Sequence, residues 1–276
     1  MAVLLALLSS AMWGTSDFMG GLLSRRLPPL AVYGFSQAIG FVVLLVLATV
    51  TGGWSADPGY WPWAIAASTV GMVAMLAFYR ALSIGPMGIV SPLVAASVLV
   101  PVAVALLRGE TPTSLQILGI LAAVVGILLA SGPELSGAES ARPLILAGVA
   151  ALGFGGMFVF MAEGSSHDPL MTMTGMRITT MLIFAVVLLK VRTFGGATPR
   201  DLIPLAVIGV FDALANVTYG YATTMGLLST TSVLGDLYPV VTAVLAAILL
   251  HERLRAVQYA GVAVALAGVM LISAGG

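Results

Sequence analysis

The chain has 276 residues, of which 60% are apolar and 8% charged, and its 11 basic and 11 acidic side chains cancel. So little charge cannot coat a soluble globule of this length, and the even balance offers no basic patch for nucleic acid, so an integral membrane protein is expected. Cysteine is absent and His167 and His251 stand far apart, which removes disulfides, thiolate chemistry and the usual metal-ligand spacings; no cofactor and no metal are expected.

About 20 apolar residues in a helix cross a bilayer core, and ten segments approach that length. In chain order they are residues 3–23, 30–50, 61–82, 87–107, 114–131, 144–162, 170–191, 202–224, 228–250 and 256–273. The first has no basic leader before it and reads as a retained helix. All are too long and too evenly apolar for the alternating strands of a membrane barrel. Short connectors such as Pro28-Pro29, Asp57-Pro58-Gly59, Gly85-Pro86 and Asp168-Pro169 make neighbouring helices antiparallel.

The most polar connector, residues 133–142, separates a first unit, 1–132, from a second, 143–276, and the two units echo each other. Gly14, Pro28, Ala81, Gly85 and Ser91 recur 141 residues later as Gly155, Pro169, Ala222, Gly226 and Ser232. After a slip of one residue, Glu110, Gln116, Gly119 and Gly126 recur as Glu252, Gln258, Gly261 and Gly268. Five spans per unit is an odd number, so the second copy crosses the bilayer in the opposite sense. The expected fold is all-α, with ten transmembrane helices in two inverted five-helix repeats. Arg25, Arg26, Arg80, Arg142, Lys190, Arg192, Arg200, Arg253 and Arg255 fall on one side against Arg108 on the other, which places that set in the cytoplasm and both termini outside.

Ionisable groups at bilayer depth are costly and mark water, a partner or a substrate. Asp17, Arg177, Asp212 and Asp236 stand within spans. Asp212 shares a helix face with Asn216, Tyr219 and Thr223, and Asp17 follows Ser10 and Trp13 at helical intervals. An interhelical hydrogen-bond seam would explain the same stripe. Trp13 stands away from the interfacial belt that tryptophan favours, as a substrate platform, a gate or a packed indole. Arg177 requires a carboxylate, carbonyl groups or an anionic substrate. Asp236 precedes Tyr238-Pro239, where proline frees a carbonyl and permits a bend. Tyr79, Tyr33 and Gln37 are further candidates. With three aspartates against one arginine, one carboxyl is expected to take up a coupling proton or bind a cationic part of the substrate, with Asp212 first and Asp17 next. Paired small residues Gly119/Gly126 and Gly261/Gly268, and Gly20-Gly21 and Gly153 to Gly156, suggest close helix contacts; the first two pairs are also candidates for a homodimer seam.

Trp13-Gly14-Thr15-Ser16, Tyr79-Arg80-Ala81-Leu82-Ser83-Ile84-Gly85-Pro86 and Arg108-Gly109-Glu110 in the first unit, answered by Tyr221-Ala222-Thr223-Thr224-Met225-Gly226, Tyr238-Pro239 and His251-Glu252-Arg253 in the second, resemble the drug/metabolite transporter superfamily, in particular its EamA-type members. The resemblance spans nearly the whole chain. It implies ten helices around a central cavity that carry small metabolites by alternating access, with the first, third, fourth, sixth, eighth and ninth helices lining the path. The chain departs from the pattern in the fourth span, which lacks a proline where the ninth has Pro239, and in the charge count, since relatives keep both termini cytoplasmic.

The expected function is secondary transport of a small metabolite or amphiphilic drug, proton-coupled or exchange-driven, by a multi-pass protein of a cell membrane such as a bacterial inner membrane. Its expected partners are a small-molecule substrate and the lipid bilayer. A passive channel or a lipid scramblase would use the same polar interior. An intramembrane enzyme would need a reactive dyad or metal site, and none is visible at suitable spacing.

Overall fold

A computed structural model describes residues 1–24, 26–84, 90, 93–130, 141–191, 197–250 and 255–275; the side chains of residues 29, 30, 79, 82, 83 and 187–191 lie outside that description. The described residues form helices and no strand. In order these are α1 (Ala2–Ser24), α2 (Pro29–Val50), α3 (Trp61–Ile84), α4 (Leu99–Leu107), α5 (Ser114–Ala130), α6 (Ala141–Ser165), α7 (Pro169–Val191), α8 (Leu202–Met225), α9 (Leu228–Gly235), α10 (Tyr238–Leu249) and α11 (Ala256–Ala274). Most of the connector at 133–142 lies outside the described residues.

Among the described residues, eight stretches are long and apolar enough to cross a membrane, and two apolar helices, Leu93–Leu107 and Ser114–Ala130, are shorter. Eight of the ten expected spans are thus met among the described residues, and segment 87–107 is described only in part.

Two of the expected spans are broken. Segment 228–250 divides into α9 and α10, because Pro239, in the first turn of α10, has no N–H to offer the carbonyl of Gly235. Segment 87–107 holds a 3-10 turn, Ala96–Val98, before α4. Pro101, buried in α4, likewise withholds a hydrogen bond from Ser97. A break thus stands in both units, although the matching proline is missing from the first.

Helix contacts also come in pairs. α1 lies along α8 and α6 along α3; α2 crosses α8 and α7 crosses α3; α2 meets α7, and α5 packs along α11. The hydrophobic effect does not join helices within lipid, so such contacts depend on small residues that let backbones approach. Gly14 faces Tyr238 O and Val241, and Gly155 faces Ser97 O and Val100, each partner displaced by the same 141 residues. Along the α5–α11 seam, Gly119 and Gly126 meet Ile272, Gly268 and Ala265, while Gly261 and Gly268 meet Ala130, Gly126, Ala123 and Gly119. All four glycines make close helix contacts inside the chain.

One rim of the bundle is tied across the two units. The Glu110 carboxylate accepts from Leu228 N–H at 2.7 Å, Ser229 N–H at 3.1 Å and Ser229 Oγ at 2.7 Å, capping the start of α9. Arg108 pairs with Glu163, and Thr113 Oγ1 donates to Gly275 O at 3.1 Å. At the opposite rim Arg26 pairs with Asp201 at 2.8 Å, joining the α1–α2 turn to the start of α8.

Candidate functional site

The face that α1 turns inward carries the site. Leu4, Leu8 and Ala11 are exposed on its outer face, whereas Ser10, Trp13 and Asp17 point the other way along the helix. Two α1 hydroxyls hold it against α8: Ser9 Oγ donates to Ala215 O at 2.8 Å and Ser16 Oγ to Ile208 O at 3.2 Å. Asp17 is exposed on the inward face, as is Gly21. A Cβ placed on Gly20 or Gly21 would meet nothing within 4 Å, so this glycine pair borders open space instead of making the close helix contact expected of it. Gly153 and Gly155 do make such contacts, against Ala74 and Val100.

Arg177 on α7 and Asp212 on α8 form an ion pair. Arg177 is buried, with 9% of its side chain exposed, and Asp212 retains 24%. Gln37 on α2 donates through Nε2 to Asp212 Oδ2 at 3.4 Å, and its buried Oε1 has no hydrogen-bond partner. Gly40 makes room for the guanidinium: a Cβ there would stand 3.6 Å from Arg177 Nε and 2.9 Å from Gly209 O. Asp17 is close enough to Asp212 for the two carboxylates to interact electrostatically, and it has no ion-pair partner among the described residues. Asp17, Gln37 and Asp212 lie seven, eight and ten residues from the ends of their helices at the Arg26–Asp201 rim. The open space at Gly20 and Gly21 lies between the polar group and that rim.

Aromatic rings close the other side of the polar group. Trp13 is 5.5 Å from Phe158 of α6 at an interplanar angle of 71°, 5.6 Å from Tyr219 of α8, and 6.4 Å from Tyr238 of α10. Phe158 and Tyr219 are 5.1 Å apart. These separations suit edge and offset ring packing, which adds to burial about 0.5–1.5 kcal/mol per pair. Tyr219 is fully buried and shares a hydrogen bond of 2.8 Å with Ser232 Oγ. Four helices, one from the first unit and three from the second, therefore meet at one indole.

The expected α8 stripe is satisfied largely within the protein. Asn216 donates to Asp212 O, Tyr219 bonds Ser232, and Thr223 bonds Gly220 O, so of the four only Asp212 presents a partly exposed charge. Asp236 stands apart, 1% exposed, beside Ser97. Tyr238 lies between, interacting electrostatically with both Asp17 and Asp236. The side chain of Tyr79 lies outside the described residues. Sequence reasoning did not single out Phe158, Gly40 or Ser97. Phe158 is the residue matched to Asp17 between the units, which could have signalled a shared position on the inward face.

Residues 1–132 and 141–274 each match the EamA-like transporter family. No curated protein sequence matches the chain. A solved structure described only as the crystal structure of a protein superposes with a TM-score of 0.80 over 98% of this chain and 95% of its own length, at 16% identity, a likeness of fold alone. Two family repeats that cover the chain, in an all-helical bundle rich in spanning segments, make this multi-pass membrane protein a member of the EamA-like transporter family.

Proposed function

We propose that the chain is a secondary transporter that carries a small amphiphilic substrate by alternating access, built from ten membrane-crossing segments in two inverted five-helix repeats. The proposed units are 1–132 and 143–276, joined by a connector at 133–142. The paired contacts support this arrangement, since the contacts of α1 with α8 and of α2 with α8 are answered by those of α6 with α3 and of α7 with α3, and the partners of Gly14 and Gly155 differ by the repeat offset.

The observation that carries the functional reading is Asp17, an exposed carboxylate on the inward face of α1 beside open space. Arg177 already compensates Asp212 and Asp236 is sealed away from the open space, so Asp17 is the acid beside that space that can receive a coupling proton or a cationic part of the substrate. Gln37 Oε1 offers an acceptor to a substrate donor, and Trp13 with Tyr238 offers an apolar, aromatic floor. Asn216 and Tyr219 support that floor, whereas Asp212 and Arg177 form a fixed polar wall. On the positive-inside count the open rim faces the cytoplasm and both termini lie outside.

Proteoliposomes holding the purified chain test this. A ligand found by thermal-shift screening of a metabolite library is expected to show saturable counterflow, and Asp17→Asn is expected to abolish it while the fold survives. Unsaturable flux would make the protein a channel, lipid flipping a scramblase, and product formation an enzyme.

A further inference from the structure

Asp236 is a buried carboxylate that serves a different contact from Asp17. It lies at the junction of α9 and α10, 1% exposed, and its Oδ2 accepts from Ser97 Oγ at 3.4 Å. Val98 N–H also bonds this carboxyl, whereas Oδ1 has no partner. Ser97 and Val98 belong to the 3-10 turn before α4, and Asp236 to the break before α10. The two helix interruptions, one from each unit, therefore meet at this one carboxyl.

No counter-charge accompanies it among the described residues. Ion pairs there use Asp201, Glu163 and Asp212. The titratable groups around α9 among the described residues are Tyr219 of α8, Tyr238 of α10, Asp17 of α1 beyond Tyr238, and Glu110, which caps the far end of α9; neither α4 nor α5 contains a titratable residue. One long hydrogen bond and one amide are poor replacement for water around an ion, so a bare carboxylate is costly in this contact.

We propose that Asp236 is a proton-binding site that ties its charge to the contact between the two repeats. The neutral acid fits the dry contact; the ion needs water, so releasing the proton to water favours a state in which the two interruptions separate. This assignment rests on the reading that the repeats move against each other, and on neither Asp17 nor the identity of the substrate.

The absence of cysteine allows a clean test. Spin labels on Thr111→Cys and Thr224→Cys, both exposed and one in each unit, report the separation of the repeats in nanodiscs. The wild-type background is expected to shift from a longer to a shorter distance as pH falls. Asp236→Asn, a neutral isostere, is expected to hold the short distance at every pH, and Ser97→Ala, which keeps the carboxyl, to retain the response with a displaced midpoint. Asp57→Asn, at an exposed carboxylate in the connector before α3, should leave the response intact. A wild-type background without a response, an Asp236→Asn variant that keeps it, or its loss in Asp57→Asn would overturn the assignment. Failure of saturable counterflow with the pH response preserved would instead reject the transporter reading and leave Asp236 in place.

Discussion

The α1–α8 and α6–α3 interfaces share one backbone arrangement and carry different chemistry. On their neighbouring sides, Gly14 of α1 and Gly155 of α6 make equivalent approaches to Val241 of α10 and Val100 of α4. Next to these glycines in sequence, Trp13 with its ring partner Tyr219 on the first interface corresponds to Phe154 with Phe78 on the second, 6.2 Å apart and edge-on at 77°. Asp17 corresponds to Phe158, Asp212 to Gly71 and Arg177 to Ser36. Met157 fills the space beside Gly71, so an apolar plug occupies the position equivalent to the ion pair. Backbone packing in lipid depends on small residues and is retained in both copies, whereas a buried charge must be matched by its surroundings, and only one copy supplies that match.

The sharpest way to break this comparison is to remove the charge match. Arg177→Met leaves Asp212 uncompensated and should cost about 3–5 kcal/mol in reversible unfolding, while adding Asp212→Leu should recover most of it. A single variant as stable as the double would dissolve the argument that the pair is structural. Trp13→Ala is expected to cost about 3–5 kcal/mol and Phe154→Ala, half-buried, less; ligand affinity read by thermal shift should fall only for Trp13→Ala. Equal affinity losses would mean that both interfaces touch the substrate.

The shared frame is tested by Gly14→Val and Gly155→Val, each driving a side chain into a carbonyl and a valine at about 1–3 kcal/mol. Similar shifts in melting temperature would support equivalence, and a large difference would limit it. Tyr219→Phe removes one buried hydrogen bond to Ser232 and should cost about 1 kcal/mol. The smallest effect belongs to Arg108→Gln: its ion pair with Glu163 is half-exposed, in contrast to Arg177–Asp212, and should contribute about 0–1 kcal/mol, declining with added salt.

Much of the frame was legible because membrane helices are written in long apolar runs and duplicated glycines. The 141-residue offset anticipated which glycines face equivalent partners, as Gly14 and Gly155 show. Segment 228–250 read as continuous, although Pro239 signalled a bend, because hydropathy does not register a broken backbone. The break at Ala96–Val98 was harder to read, since its proline stands at Pro101 and not at the position matched to Pro239. For the candidate site, spacing along α1 put Trp13 and Asp17 on one face, and depth marked Arg177 and Asp212. Spacing within one helix could not say that Arg177 reaches Asp212 and that Asp17 has no ion-pair partner among the described residues, because partner choice is made between helices.

Composition by itself determined that the chain enters a membrane, since 8% charge cannot solvate a surface of this size. Repeat and periodicity determined which helices correspond and which faces are small. Only the tertiary structure decided which carboxylate is compensated, which is open and which is sealed between the repeats. In a low-dielectric interior, that assignment depends on a few ångströms of separation from a guanidinium or from water, a distance that no one-dimensional pattern encodes.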